Sequence, residues 1–406
     1  MKRKLLLLMI LVLFLVNLTG CAPKEVEIKG SKLVVARWGG NDAETAAFNA
    51  MIEAFKEETG VDVEIRIFSD YNTELQAGLI GGTGPDVFYV DAYMAPFYIQ
   101  QGVLKELDEV EFELDKFYEP LKNAFVSEEK YYAVSKDYST LALYYNKKFV
   151  NVADIPTTYE TLYGSDYLTT LKASLPEGTA AMTYNLDLAR QLYMAEANGA
   201  SIIRNENFSN LSDVAVENNL KLELDAAIAG KIVTPGDLGM GWNGDAFGNE
   251  KTAIMIEGNW VLGFLQQNFP DVDFGVIEVP TMGGKKGTMV FTVGYGINAK
   301  TQNEAASTAF VKFATGTVGM PIWTTGAGVL PSRSDVTDAT KVQENVLLIP
   351  HIAGAAYATP WQKGTTMDTI NNEYRNYVVT AVRGETSLSE ALKKAQDEAN
   401  STIAAN

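Results

Sequence analysis

Residues 249–260 read NEKTAIMIEGNW. Asn249, Glu250 and Lys251 are polar, as at the end of a loop. Ala253 to Ile256 is a short apolar run with β-branched Ile254 and Ile256, the composition of a buried strand. Glu257, Gly258 and Asn259 predict a turn, and Trp260 to Gln267 predicts a helix. A buried strand thus delivers a glutamate, an asparagine and a large flat aromatic to the mouth of a strand-to-helix turn. In open α/β sheets ligands bind at that position. Packing of Trp260 between helix and sheet accounts for the same residues equally well.

Upstream, Gly239-Met-Gly-Trp-Asn-Gly-Asp245 is glycine-rich. A tryptophan there has few neighbours, so Trp242 is a candidate for ligand contact, with Asp245 as its hydrogen-bonding companion. Helical spacing covers 157–171, 186–198 and 211–229. A short strand, Ala180 to Thr183, is followed by Tyr184, Asn185 and Asp187, again at a strand end. Tyr131 to Val134 and Leu141 to Tyr145 read as two strands, the second apolar on both faces and so central. Lys136 to Thr140 lies between them.

Further upstream, Leu33 to Ala36 is a strand and Arg37 to Gly40 the loop after it. Asn41 with Glu44 forms a capping box for a helix with an apolar face of Ala47, Phe48, Met51, Ile52 and Phe55, ended by Gly60. Val61, Val63, Ile65 and Ile67 alternate with polar residues, as in a half-exposed strand. A helix over 72–80 and a strand over 86–90 follow. This βαβ pattern places Trp38 and Asp91 at the carboxyl ends of parallel strands, which makes both site candidates. Packing under the first helix is the competing role for Trp38, and capping of the segment from Tyr93 the competing role for Asp91.

Downstream, Phe274 to Ile277 and Val290 to Ile297 are strands, separated by a hairpin-like turn at 282–287. A helix over 304–314 comes next, and the tail is helical over 342–352, 366–382 and 388–403.

At the other end, Lys2, Arg3 and Lys4 precede an apolar run, Leu5 to Val16. It is shorter than the roughly 20 residues of a membrane-spanning helix and has the pattern of a secretory signal. Leu18-Thr-Gly-Cys21 matches the bacterial lipobox, in which the thiol is acylated after a cut before it. Cys21 is the single cysteine of the 406 residues. Residues 1–20 are therefore read as a signal peptide, Cys21 as a lipidation site and 21–31 as a flexible tether. The mature chain is expected to hold to the membrane through that lipid, on the extracytoplasmic face of the bacterial cell.

The composition is that of a globular protein, 47% hydrophobic and 21% charged. A net charge of −18 disfavours nucleic acid, whose phosphates need lysine and arginine. One histidine, His351, lies on an apolar stretch and is read as structural. With the one histidine read as structural and the one cysteine as lipidated, a Ser-His-Asp triad, a Cys-His pair and a multi-histidine metal site lack support. Gly-Thr-Gly-Pro-Asp-Val-Phe88 lacks the Lys-Ser/Thr of a phosphate loop. A pair of carboxylates able to run glycoside hydrolysis is always available among 51 acidic residues. A surface glycosidase is accordingly the rival reading, and an adhesion protein without a small ligand a third.

Six motifs occur in order: the lipobox, G-P-D-V-F (84–88), Y-Y-N-K (144–147), M-I-E-G-N-W (255–260), G-Y-G-I-N-A (294–299) and L-P-S-R (330–333). Together they resemble the extracellular solute-binding proteins of family 1, the carbohydrate receptors of bacterial ABC importers, similar to the maltose-binding protein. The resemblance spans nearly all of 32–403. It implies an α/β fold of type II with two lobes, a three-segment hinge and a ligand cleft between the lobes. The implied division is 32–139 plus 295–332 for the first lobe and 140–294 plus 333–406 for the second.

The implied ligand is a carbohydrate, handed to the permease subunits of the importer. No cofactor, no metal and no enzymatic activity are expected, and the working form is expected to be a monomer. The resemblance adds Tyr138 and Tyr295, at two crossings between lobes, and Trp361, after Pro360. The candidate ligand-binding set is Trp38, Asn41, Asp91, Tyr138, Tyr184, Asp187, Trp242, Asp245, Trp260, Tyr295 and Trp361. Trp323 reads as core. The stretch around Ser139 is neutral where maltose receptors can place an acid, and Leu188 to Arg190 lacks their acidic and aromatic pair. This points away from maltose towards other α-glucosides, β-glucosides or galactosides. A polyamine or other solute in the same fold is the alternative.

Overall fold

The structure is a computed structural model that describes residues 28–205 and 207–405. Cys21, the signal segment and the first part of the expected tether lie outside the described residues. The expected tether runs too far. Ile28 to Ser31 is a turn, with Gly30 N donating to Gly60 O at 3.0 Å and Ser31 O accepting from Asp62 N at 2.9 Å.

The first lobe begins with β1 (Lys32–Trp38), α1 (Asp42–Thr59), β2 (Asp62–Phe68), α2 (Tyr71–Ile80) and β3 (Val87–Asp91). Asn41 and Glu44 form the expected capping box, and Gly60 ends α1 with φ of 70°. Arg37 continues β1 rather than opening a loop, because β2 pairs with the whole of β1, as far as Trp38.

The chain then enters β4 (Ala133–Asn146), buried at all 14 positions. Two strands, with Lys136 to Thr140 between them, were expected here. They are one strand because both halves of the segment are paired. Residues 133–140 lie against 290–296, and residues 141–146 against 254–258 on one edge and 274–277 on the other. The polar Lys136-Asp137 pair is accommodated by a β-bulge. Asp137 pairs with Val293 and Ser135 with Gly294, which leaves Lys136 as the extra residue.

Next come β5 (Ala180–Thr183), α3 (Val214–Ile228), β6 (Thr252–Gly258), α4 (Trp260–Asn268), β7 (Phe274–Ile277) and β8 (Thr288–Ile297). After them come α5 (Glu304–Ala314), α6 (Gly319–Ala327), β9 (Ala358–Pro360), α7 (Met367–Val382) and α8 (Leu388–Ala405). Glu257 and Gly258 belong to β6, not to a turn, since they pair with Ala142 and Leu141. The helical stretches 157–171 and 186–198 are each broken in two. Ser165 is extended, and Asp187 caps a fresh turn at Leu188–Gln191. Only Ile349–Ala355 of the stretch 342–352 is α-helical, with Pro350 in its first turn.

The strand order is β2-β1-β3-β8-β4-β6-β5, with β7 also on β4 and β9 on β8. β1, β2 and β3 are parallel, as are β5 and β6, while β8 and β4 run antiparallel to their main neighbours. One core gathers α1, α5, α6, β1 and β3 around Phe48, Phe55, Phe310 and Trp323. Another gathers α3, α7, α8, β5 and β6 around Leu162, Tyr193, Leu224 and Tyr374. β4, β8 and the segment at Leu330, which bridges to Tyr138, run between the two bodies. Val336, placed by the sequence beyond the first lobe, packs in the first-lobe core. Among the described residues no helix is long and apolar enough to cross a membrane.

Candidate ligand-binding cleft

A cavity of about 410 Å³ opens between the lobes. It lies at the carboxyl ends of β1, β3, β5 and β6, the position that an α/β sheet leaves open to a ligand. β1 ends in Trp38 and β3 in Asp91. β5 leads to Asp187 and Arg190, and β6 to Trp260, and all five line the cavity. A larger depression, about 1050 Å³, lies on the outer side of α5 and gathers no comparable set of rings.

Each indole is fixed by other rings. Trp38 meets Tyr71 edge-on at 5.2 Å and Tyr89 at 4.9 Å. Trp260 meets Phe291 at 5.4 Å, nearly perpendicular. Trp361 is tilted against Tyr93 at 5.9 Å. The seat of Trp260 depends on Gly258, because a Cβ there would stand 2.2 Å from the indole ring.

Two cations of the wall, Arg190 and Lys136, are held in ion pairs. Arg190 reaches Glu257 at 3.3 Å and Asp187 at 3.6 Å. Its guanidinium lies over Trp260 at 5.2 Å and over Phe291 at 5.9 Å from the ring centres. Glu257 is buried and also accepts from Asn185 at 3.3 Å and Asn243 at 3.2 Å. The bulge at Lys136 turns the Lys136 and Asp137 side chains towards each other in an ion pair. The Trp323 indole N–H donates to Asp137 at 2.5 Å, and the Lys136 ammonium sits 3.9 Å from the Trp323 ring and 4.8 Å from that of Tyr89. Arg37 donates to the Trp38 carbonyl at 3.0 Å and Thr45 at 3.3 Å. Burial holds the Glu44 carboxyl above its ordinary range and pushes Asp91 up to about 7.

Outside the cleft, burial also raises Glu223, to about 8, where it accepts from Gln191 at 2.8 Å in the second-lobe core. In the unfolded chain both acids ionise near pH 4. Between that pH and their folded values the native state keeps protons that the unfolded state has lost, so stability falls as pH rises through this window. His351, pushed down to about 3 by burial, opposes this only below about pH 6.5, where the unfolded chain takes up a proton that the native state refuses. The melting temperature is therefore expected to be lower at pH 8.5 than at pH 6.5. Glu223→Gln should remove much of that difference, and equal melting temperatures in the parent chain would refute the account.

Of the candidates read from sequence, Trp38, Asp91, Asp187, Trp260 and Trp361 lie in the cavity wall. Asn41 stands beside it, spent on the α1 cap and a 3.4 Å bond to the Trp260 carbonyl. The others are corrected. Tyr138 points to the opposite face of β4 from Asp137 and Ser139, as alternation along a strand requires, and meets Tyr118 at 6.3 Å. Tyr184 is buried in the second-lobe core. Trp242 is no free loop residue: its ring lies over Gly244 and packs on Phe264 at 4.9 Å. Asp245 sits in the helix Asn243–Gly248, away from the cavity lining. Tyr295 is fully buried, 5.4 Å from both Tyr89 and Phe310.

Sequence reading missed Arg190, Lys136, Asp137, Tyr93 and Phe291 in the wall, and placed Trp323 wholly in the core. One signal was present: adjacent opposite charges between two runs that read as strands, where buried charges have to pair.

A profile described as bacterial extracellular solute-binding protein matches residues 50–350. The galactooligosaccharide-binding protein of Bacillus subtilis (strain 168) is 25% identical over 328 residues, 75% of this chain and 74% of that one. The ABC substrate-binding protein Lmo0181 from Listeria monocytogenes, solved in complex with cycloalternan, superimposes with a TM-score of 0.78. The match covers 92% of this chain and 99% of that one, at 19% identity. The GacH receptor of Streptomyces glaucescens, solved unliganded and with acarbose and an acarbose homologue, gives a TM-score of 0.77. It covers 90% of this chain and 97% of that one, at 24% identity.

Proposed function

The chain belongs to the bacterial extracellular solute-binding proteins, and on that premise we propose that it captures an oligosaccharide between its lobes and delivers it to the permease of an ABC importer. The observation that carries the sugar is the make-up of the cleft. Sugars present faces of C–H bonds ringed by hydroxyls. The indoles of Trp38, Trp260 and Trp361 offer flat apolar surfaces to such faces, while Asp91, Glu44 and Asp187 accept from hydroxyls. Lys136 and Arg190 already have carboxylate partners, which leaves Arg37 and Arg375 as the cations of the wall free to meet an anionic ligand. Arg190 Nε, buried and unpartnered among the described residues, supplies a donor for a hydroxyl oxygen. The relatives named for a galactooligosaccharide and solved with cycloalternan or acarbose support the same ligand class.

The lobes close on the ligand about β4, β8 and the segment at Leu330, a hinge motion. Acylation at Cys21 holds the working monomer to the membrane. The chain carries out no reaction on its ligand. His351 is bonded to the Thr140 carbonyl and the Tyr144 hydroxyl, outside the cavity lining.

A thermal-shift screen against mono- and oligosaccharides and polyamines tests the proposal. A ligand at ~100 times its Kd adds about 2.7 kcal/mol to stability. A shift with a sugar that mass spectrometry then recovers unchanged supports it. A shift with a polyamine alone, or cleavage of the sugar, overturns it.

Gly258→Ala should weaken the best sugar about tenfold or more by pushing the Trp260 ring off its seat, while circular dichroism stays that of the parent. Unchanged affinity in titration calorimetry would show that the ring position is irrelevant to binding.

A further inference from the structure

The turn Leu188–Gln191 brings a charged pair of the second lobe to the cleft, with Asp187 as its cap and Arg190 within it. Four residues cannot hold a helical conformation unaided. Three side chains fix the turn from behind. Asn371 of α7 accepts from the Leu188 N–H at 2.9 Å. One turn further along α7, the Tyr374 hydroxyl donates to the Gln191 side-chain carbonyl at 2.8 Å. The Gln191 amide donates to Glu223 of α3 at 2.8 Å. Gln191 is buried away from the cavity, while its neighbour Arg190 lines it.

Glu223 ends this chain of contacts, 7% exposed and outside the cavity lining. Tyrosines surround it: Tyr159 and Tyr163 of the helix Tyr159–Gly164, Tyr184 after β5, Tyr193, and Tyr374. Asp187 is the other acid that faces it, and no cation pairs with it among the described residues. A carboxyl buried in such surroundings is stable as the neutral acid. The hydroxyls of Tyr163 and Tyr184 are buried and without partners among the described residues.

We infer that Glu223 is a positioning residue of the cleft: as the neutral acid it holds, through Gln191, the turn that presents Asp187 and Arg190 to the ligand, and as the carboxylate it lets that turn go. The inference rests on the sugar-binding reading above and adds a proton-controlled release to it. The neutral acid accepts from Gln191 and repels nothing. The carboxylate repels Asp187 and draws the nearby hydroxyls to itself, that of Tyr374 included, which takes from Gln191 its second tie. Arg190 then loses the fixed seat from which it faces the ligand.

Titration calorimetry on the full chain, in a non-glycosidic detergent, tests this with the tighter-binding of galactotriose and maltotriose. It is run at pH 6.5 and pH 9, below the melting temperature at each. Glu223→Gln keeps the acceptor for Gln191 and cannot ionise, so it should bind within threefold of the parent at pH 6.5. At pH 9 about a tenth of Glu223 keeps its proton, and the parent should bind about tenfold more weakly than the variant. Asp91 titrates in both chains and drops out of that comparison. Glu223→Ala should lose at least tenfold at pH 6.5. Parent and Glu223→Gln binding alike at pH 9, or Glu223→Ala binding like the parent, would overturn the inference and leave sugar binding in place. A ligand-free signal separates the two readings, because Arg190 lies over the Trp260 ring. The fluorescence of Trp260, taken as the difference from Trp260→Phe, should carry a step near pH 8 that Glu223→Gln lacks. If neither sugar binds, this step upholds the positioning role and its absence overturns it.

Discussion

Trp260→Ala is expected to lower the affinity for the best-bound sugar by about a hundredfold. Truncating a tryptophan at the centre of a binding surface costs ~2–4 kcal/mol, or about 30- to 1000-fold in Kd. Trp260 belongs in that class for two reasons. It presents its ring to the cavity. It also forms one of the two aromatic walls around the Arg190 guanidinium, so its loss frees a side chain that Glu257 and Asp187 alone then hold. The ring packs against the cores of both lobes, so alanine also costs stability. Trp260→Phe separates the two effects, since it keeps an apolar ring at the site and should retain most of the affinity. The measurement is titration calorimetry of both variants below their melting temperatures. Alanine binding within threefold of the parent would remove Trp260 from the site.

Lys136→Met should be the most destabilising single change in the cleft, by roughly 3–5 kcal/mol, because it strips a buried carboxylate of its counter-ion. Both partners are nearly closed to solvent, with side chains 4% and 8% exposed. Asp137 then keeps the Trp323 indole N–H but loses its ion pair, and the cation–π contacts with Trp323 and Tyr89 vanish together. Neutralising both members in Lys136→Met/Asp137→Asn should recover much of the loss, since the remaining amide still accepts from Trp323. Chemical denaturation of the two variants decides the matter. A single variant as stable as the parent, or a double variant no better than the single, would show that the pair carries no such load.

The fold was legible where a pattern is local. Asn41 with Glu44, the apolar face from Ala47 to Phe55 and Gly60 fix α1 almost to the residue. The alternation at 61–67 and the apolar run at 253–256 fix β2 and β6. It failed where pairing partners lie far away. The polar stretch 136–140 does not read as a strand from within, and only its pairing with 290–296 makes it one.

The site shows the same division. Trp38, Asp91, Asp187 and Trp260 could be placed at the cavity wall because the end of a parallel strand is a position that local sequence marks. Tyr295 was mistaken because nothing near it in sequence announces that Tyr89 and Phe310 cover its ring. Arg190 was missed because its partner Glu257 is 67 positions away. The motif order that resembles the family implies lobes and crossings, but not which aromatic faces the cleft.

β8, residues Thr288–Ile297, carries one more consequence. It is the strand between β3 and β4, and β3 has no direct partnership with β4 along the sheet. The first lobe therefore cannot close its sheet until residue 297 of 406 is available, and its core still waits for α5 and α6 after that. Long-range pairing of this kind is slow to form, because the loop must close before any contact repays it. A ribosome that has made the first 146 residues has made β3 and β4 but not the strand that joins them. The order of the strands thus delays folding until most of the chain has been synthesised.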